Sequence, residues 1–197
     1  MEKIFSFVLA VMMLCLCFTS CGANRVYHAE MEIENYGVVC LELDGTVAPI
    51  TVKNFVKLAK SGFYDGLPIT RIQQGFVLQG GQSDVELKPI KGEFASNGVY
   101  NSISHKKGVI SMARSEDPNS ATSQFFIMLA DDTTLNGNYA AFGWVTSGME
   151  VVDAIAATKT GPQDRPIAEQ KIASITVETN GAVLAELKKL PDPYGRF

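Results

Sequence analysis

Arg71, Phe76 and Gln79 fall within one short stretch, Arg71 to Gly81, broken in its middle by Gly75. A second stretch runs Gly108 to Arg114, and after it Asp117 to Ile127 carries Gln124 and Phe126. A third, Leu135 to Gly143, carries Leu135 and Tyr139. A permanently charged donor beside apolar side chains can act by selective hydrogen bonding, with no nucleophile, metal or cofactor. Hydrolytic and redox signatures are missing: there is no Gly-x-Ser-x-Gly, no Cys-x-x-Cys and no His-Glu-x-x-His. Gly80-Gly81 has no Lys-Ser/Thr after it, so it is no phosphate loop. With 2 His in the chain, a His-rich metal site is excluded. His105, beside Lys106 and Lys107, reads as an exposed turn residue and a poor general base, and His28 falls in a tether. Asp131-Asp132 reads as a solvated turn.

Taken singly, each of these residues has a plainer reading. Arg71 alone would be a surface arginine with a carboxylate partner. Phe126 alone would be core, and Gln79 a strand hydrogen-bonder. Their grouping favours a site.

The elements that must position them follow from periodicity. Met31–Asn35 and Val38–Leu43 read as strands about an Asn35-Tyr36-Gly37 turn; in the second, Val39, Leu41 and Leu43 form the apolar face. A helix is expected from Pro49 to Lys60, with Gly62 beyond its end and Val52, Phe55, Val56 and Ala59 on one face. Ile69–Gly81 reads as one strand kinked or bulged at Gly75. Gly108–Arg114, Gln124–Leu129 and Ala140–Val145 are further strands. Met149–Ala157 is a second helix, Lys171–Glu178 a last strand, and Ala182–Leu190 a possible short helix. Alternation puts Gln124, Phe126 and Met128 on one face and Phe125, Ile127 and Leu129 on the core face; Met112 also reads as core. Regular parity separates Arg71 from Phe76 unless Gly75 intervenes. Seven or eight strands with two non-alternating helices predict an all-β fold: a closed antiparallel barrel with helices covering its open ends.

The three stretches, in this order and spacing, resemble the cyclophilin family of peptidyl-prolyl cis-trans isomerases over about residues 31–178. Met112-Ala113-Arg114 and Ser120 to Phe126 resemble its bacterial branch. The resemblance implies an eight-stranded barrel and catalysis of X–Pro bond rotation by Arg71. It also implies proline-pocket walls at Phe76, Phe126 and Leu135, and polar support for the arginine and substrate backbone from Gln79 and Gln124. Ala113 and Arg114 would form a strip whose main chain pairs with the peptide. Thr70 and Tyr139 would sit where relatives carry His, and Thr134 where eukaryotic forms carry Trp. The missing indole implies weak cyclosporin binding. Partners would be proline-containing peptides or unfolded proteins. An alternative on the same fold is a proline-peptide-binding or chaperone module with little isomerase activity.

Composition agrees with one folded domain: 46% apolar and 19% charged residues support a core, and a net charge of −4 opposes nucleic-acid binding. A monomer is expected. Lys3 precedes an apolar run from Ile4 to Phe18, too short for an ordinary spanning helix, then small residues and Cys21. Residues 1–20 thus read as an export signal, and 18–21 resemble the bacterial lipobox, which implies a diacylglyceryl group on Cys21. Cys40 would then lack a partner and reads as a small hydrophobe. Residues 21–30 read as a tether and 179–197 as a tail. Such a chain would be anchored in the cell envelope; in a Gram-negative cell Gly22 after Cys21 favours the outer membrane.

Overall fold

In the strand Gly37–Asp44 (β2), Val39, Leu41 and Leu43 are buried while their neighbours are not, as the alternation predicts. The computed structural model describes residues 25–179 and 186–191. The signal, Cys21 and residues 180–185 and 192–197 of the tail lie outside them. Strand β1 spans Val26–Ile33 and pairs with β2 from Val26↔Asp44 to Ile33↔Gly37. The chain therefore enters the sheet at Val26, within the expected tether, and His28 is a strand residue. Apolar Ala29, Met31 and Ile33 face the core and draw this segment in.

The remaining strands are β3 (Ile69–Gln73), β4 (Val77–Gly80), β5 (Val109–Met112), β6 (Phe125–Met128), β7 (Ala141–Ser147) and β8 (Ile172–Glu178). They form one antiparallel sheet in the order β3-β4-β6-β5-β7-β2-β1-β8. The sheet curls until its edge strands meet at a single bridge, Pro68↔Lys171, flanked by Ile69 N donating to Gln170 O at 2.8 Å.

Helix α1 (Pro49–Lys60) packs on β8 and β2, and α2 (Met149–Ala156) on β2. Pro49 suits the first turn of α1, but Ala48 at its N-cap offers no side-chain acceptor. Buried Glu93 supplies one from afar, accepting from Ile50 N (3.0 Å), Thr51 N (2.8 Å) and Thr51 Oγ1 (2.7 Å). Glu93 belongs to the long connection between β4 and β5. Ile90 and Phe94, both buried, and Asn101, whose Nδ2 donates to Glu93 O and Ala141 O, pin that connection to the barrel.

Side chains divide into two clusters. The larger, between sheet and helices, contains Phe55, Met112, Phe125 and Ile127. The smaller lies on the other face of β4, β5, β6 and β7, and contains Val77, Val109, Phe126, Met128 and Ala141. The alternation along β6 sorts Phe125 and Ile127 from Phe126 and Met128 as the sequence requires.

Residues 186–190, within the segment considered for a tail helix, are not helical. Leu187 packs on the main core and Leu190 N donates to Pro89 O at 3.0 Å.

Candidate active site

The stretch Ile69–Gly81 is two strands, not one bent strand. Phe76 N donates to Gln73 O (3.0 Å), and Gly75 takes φ +72° in the turn, a conformation open to glycine. Folding back pairs Arg71 with Gln79 and Gln73 with Val77. Residues directly opposite each other share a face, so Arg71, Gln73 and Gln79 come together without a bulge at Gly75. The parity conflict in the sequence arises from reading a hairpin as a single strand.

A cleft of about 150 Å³ opens beside the hairpin, lined by Arg71, Phe76, Val77, Gln79, Ala113, Arg114, Phe126, Leu135 and Tyr139. Its size suits one cyclic side chain, well below the several hundred Å³ of a cofactor site. Its apolar floor belongs to the smaller cluster. Phe126 is buried against Tyr139, ring centroids 5.8 Å apart and edge to face. Leu135 and Tyr139 come from the short 3-10 turn Thr133–Leu135 and the residues after it. Asp132 Oδ1 caps this turn, accepting from Thr134 N (2.9 Å) and Thr134 Oγ1 (2.6 Å). These two bonds from Thr134 hold its carboxyl below the usual range.

Two of the expected residues lie elsewhere. Thr70 alternates with Arg71 and so turns from the cleft; it lines an adjoining hollow with Pro68, Asp84 and Arg165. Gln124 stands behind the lining, its Oε1 accepting from Gln79 Nε2 at 2.9 Å. Arg71 meets other partners: its Nη2 donates to Gln73 Oε1, and its Nε lies 3.4 Å from Asp164 Oδ2. Gln73 was legible as a same-face neighbour two residues on. Asp164, 93 residues away, had no local signal.

Arg114 flanks the cleft. Its guanidinium lies 4.6 Å from the Tyr139 ring centroid and 5.2 Å from that of Phe94. It donates to Asn138 O, Ser115 O and Glu116 O. Ala113 N is bonded to Gln124 O (3.0 Å), so a peptide laid along this strip would meet other main-chain groups.

His105 corrects the exposed-turn expectation. It is 1% exposed and stacks on Phe126. The two lysines after it turn outward, whereas the imidazole is drawn inward by Asn136 Oδ1 (3.0 Å from Nδ1) and Ser111 Oγ (3.0 Å from Nε2). Burial pushes its pKa down, against smaller upward effects of Asn136 and Asp132. The neutral tautomer with hydrogen on Nδ1 satisfies both partners.

An eight-stranded curled sheet with two helices, and a small cleft pairing one guanidinium with an apolar wall, has the build of a cyclophilin. The family model for cyclophilin type peptidyl-prolyl cis-trans isomerases matches residues 28–177. A peptidyl-prolyl cis-trans isomerase of Acinetobacter baylyi is 40% identical over 174 residues, 80% of this chain and 90% of that protein. Peptidyl-prolyl cis-trans isomerase B of Escherichia coli is 37% identical over 161 residues, 73% of this chain and 95% of that protein. Among solved structures, a cyclophilin type isomerase of Cryptosporidium parvum in the presence of the dipeptide Ala-Pro aligns with TM-score 0.69 at 28% identity, over 77% of this chain and 98% of that one. The chain belongs to the cyclophilin-type peptidyl-prolyl cis-trans isomerases. It is an isomerase of X–Pro peptide bonds.

Proposed function

We propose that this isomerase works on exported, proline-containing chains from a lipid anchor in the cell envelope, with Arg71 as its catalytic residue. The observation carrying the catalytic part is that Arg71 shares one cleft with Phe76, Phe126 and Leu135. Rotation of an X–Pro bond faces a barrier of roughly 20 kcal/mol, set by lost amide resonance. At the twisted geometry the imide is less polar and its nitrogen regains a lone pair. An apolar wall disfavours the planar, charge-separated amide relative to the twisted one. The Arg71 guanidinium can then donate to the nitrogen only when the lone pair appears, which is selective binding of the transition state. The solved relative with Ala-Pro supports proline peptides as the ligand class.

Export and anchoring rest on the apolar run Ile4–Phe18 and on Cys21. The adjoining Tyr139 and Arg114 would hold the residues flanking the proline.

Turnover of a proline tetrapeptide by the full-length chain and by Arg71→Ala tests the reading. One preorganised donor is worth about 3–4 kcal/mol, so the variant should lose roughly 10²–10³ in kcat/KM. Equal rates above the uncatalysed one would remove Arg71 from the catalytic role, and rates no faster than the uncatalysed one in both would favour a peptide-binding or chaperone module. Mass spectrometry of the chain recovered from membranes would reveal or exclude the diacylglyceryl adduct on Cys21.

A further inference from the structure

Asp164 reaches Arg71 from a turn under strain. Residues 161–166 are pinched by a bridge between Thr160 and Pro166, by Gly161 N donating to Arg165 O (2.7 Å) and by Ile167 N donating to Lys159 O (3.0 Å). Inside it, two consecutive non-glycine residues, Gln163 (φ 60°) and Asp164 (φ 59°), occupy the left-handed region. Among the described residues the other non-glycine case is Asn35, in the β1–β2 hairpin turn. Asparagine and aspartate tolerate this conformation; glutamine does so poorly. The ion pair that results contributes little to stability, because both side chains are well exposed, 38% for Arg71 and 45% for Asp164. A turn that keeps strain for an interaction of small stabilising value points to a functional reason.

We propose that Asp164 is a positioning residue for isomerisation. This rests on the reading of Arg71 as the donor to the imide nitrogen. Asp164 anchors the guanidinium at Nε while Gln73 anchors it at Nη2. Two anchors fix the plane of the group and leave Nη1 without a bond to the described residues, available to the substrate. An arginine held at one point would sweep its fork across the cleft mouth. Fixing it in advance removes that search from the barrier.

Two variants separate positioning from folding. Asp164→Gly suits φ +59° and removes the carboxylate without adding strain. Asp164→Asn keeps the backbone conformation and an acceptor but removes the charge. Both are assayed in the full-length chain with a proline tetrapeptide, beside Arg71→Ala and the Arg71→Ala/Asp164→Gly double variant. Asp164→Gly should lose about tenfold in kcat with KM changed less than about twofold, and Asp164→Asn should lose less. Asp164→Gly should cost nothing further in the Arg71→Ala background. The Arg71 Nε–H signal in spectra of arginine-labelled protein should exchange with water faster in Asp164→Gly. Wild-type kcat in Asp164→Gly, an equal loss in both backgrounds, or unchanged Nε–H exchange would each overturn the positioning role while leaving the isomerase reading intact. Absence of turnover in the wild type would defeat the isomerase reading and this one with it.

Discussion

The His105 imidazole lies behind the Phe126 ring, nearly parallel to it, with centroids 6.1 Å and planes 21° apart. Its two nitrogens join Asn136, in the turn that carries Leu135, to Ser111 on β5. Floor and wall of the proline cleft are thus tied through one buried neutral side chain.

That tie makes the cleft sensitive to mild acid. Burial holds the folded pKa of His105 below its ordinary value of 6.5. Below pH 6.5 the unfolded chain therefore binds a proton that the folded one resists, and stability falls as pH drops toward the lowered folded value. Above pH 7 neither state is protonated there and the contribution is constant. The melting temperature should decline between pH 7 and 5, and His105→Gln should decline less steeply. Parallel slopes for the two proteins would show that His105 does not govern this window.

Glu93 is expected to be a folding residue despite lying in a connection. Its carboxylate satisfies two helix N–H groups and a hydroxyl in a buried place. Truncation to Ala strands those donors, at about 1–3 kcal/mol for each left unpaired. Chemical denaturation of Glu93→Ala should show a loss of at least about 2 kcal/mol. Glu93→Gln, which retains an acceptor, should recover part of it.

Arg114 should govern affinity more than rate. It bonds carbonyls on two loops and packs over Tyr139, leaving no role at the imide nitrogen. Cation–π contacts at exposed sites contribute about 0.5–1 kcal/mol, and the loop bonds add to that. Arg114→Ala should raise KM severalfold with kcat little changed. Arg114→Lys should behave like Ala, because an ammonium cannot stack on a ring and bridge three carbonyls together.

What could be read before the fold was known was whatever repeats over short distances. The faces of β2 and α1 follow from periodicity alone, since burial on one side imposes it. The Gly75 turn escaped because Gln73, Gln74 and Phe76 carry no strong turn chemistry, so the hairpin looked like an interrupted strand. His105 escaped because its neighbours Lys106 and Lys107 suggest solvent, while the Asn136 and Ser111 that bury it are set by tertiary packing. Asp164 depends on a pairing across the barrel seam between Pro68 and Lys171 that no local pattern encodes.

Replacing Arg71 by Lys separates charge from shape at the centre of the site. Lysine keeps the positive charge but offers one nitrogen, which can meet Asp164 or the substrate and cannot reproduce the bonds to Gln73 and Asp164 together. If the charge alone lowered the barrier, Arg71→Lys would keep most of the activity. If the fixed fork matters, it should lose nearly as much as Arg71→Ala, roughly 10² in kcat/KM. Folding is a separate matter: the Arg71–Asp164 pair is half exposed, and such pairs contribute about 0–1 kcal/mol. Melting temperatures of Arg71→Lys, Arg71→Ala and the wild type should therefore lie close together while their rates diverge. A large drop in melting temperature alongside the rate would instead mark Arg71 as part of the barrel's framework.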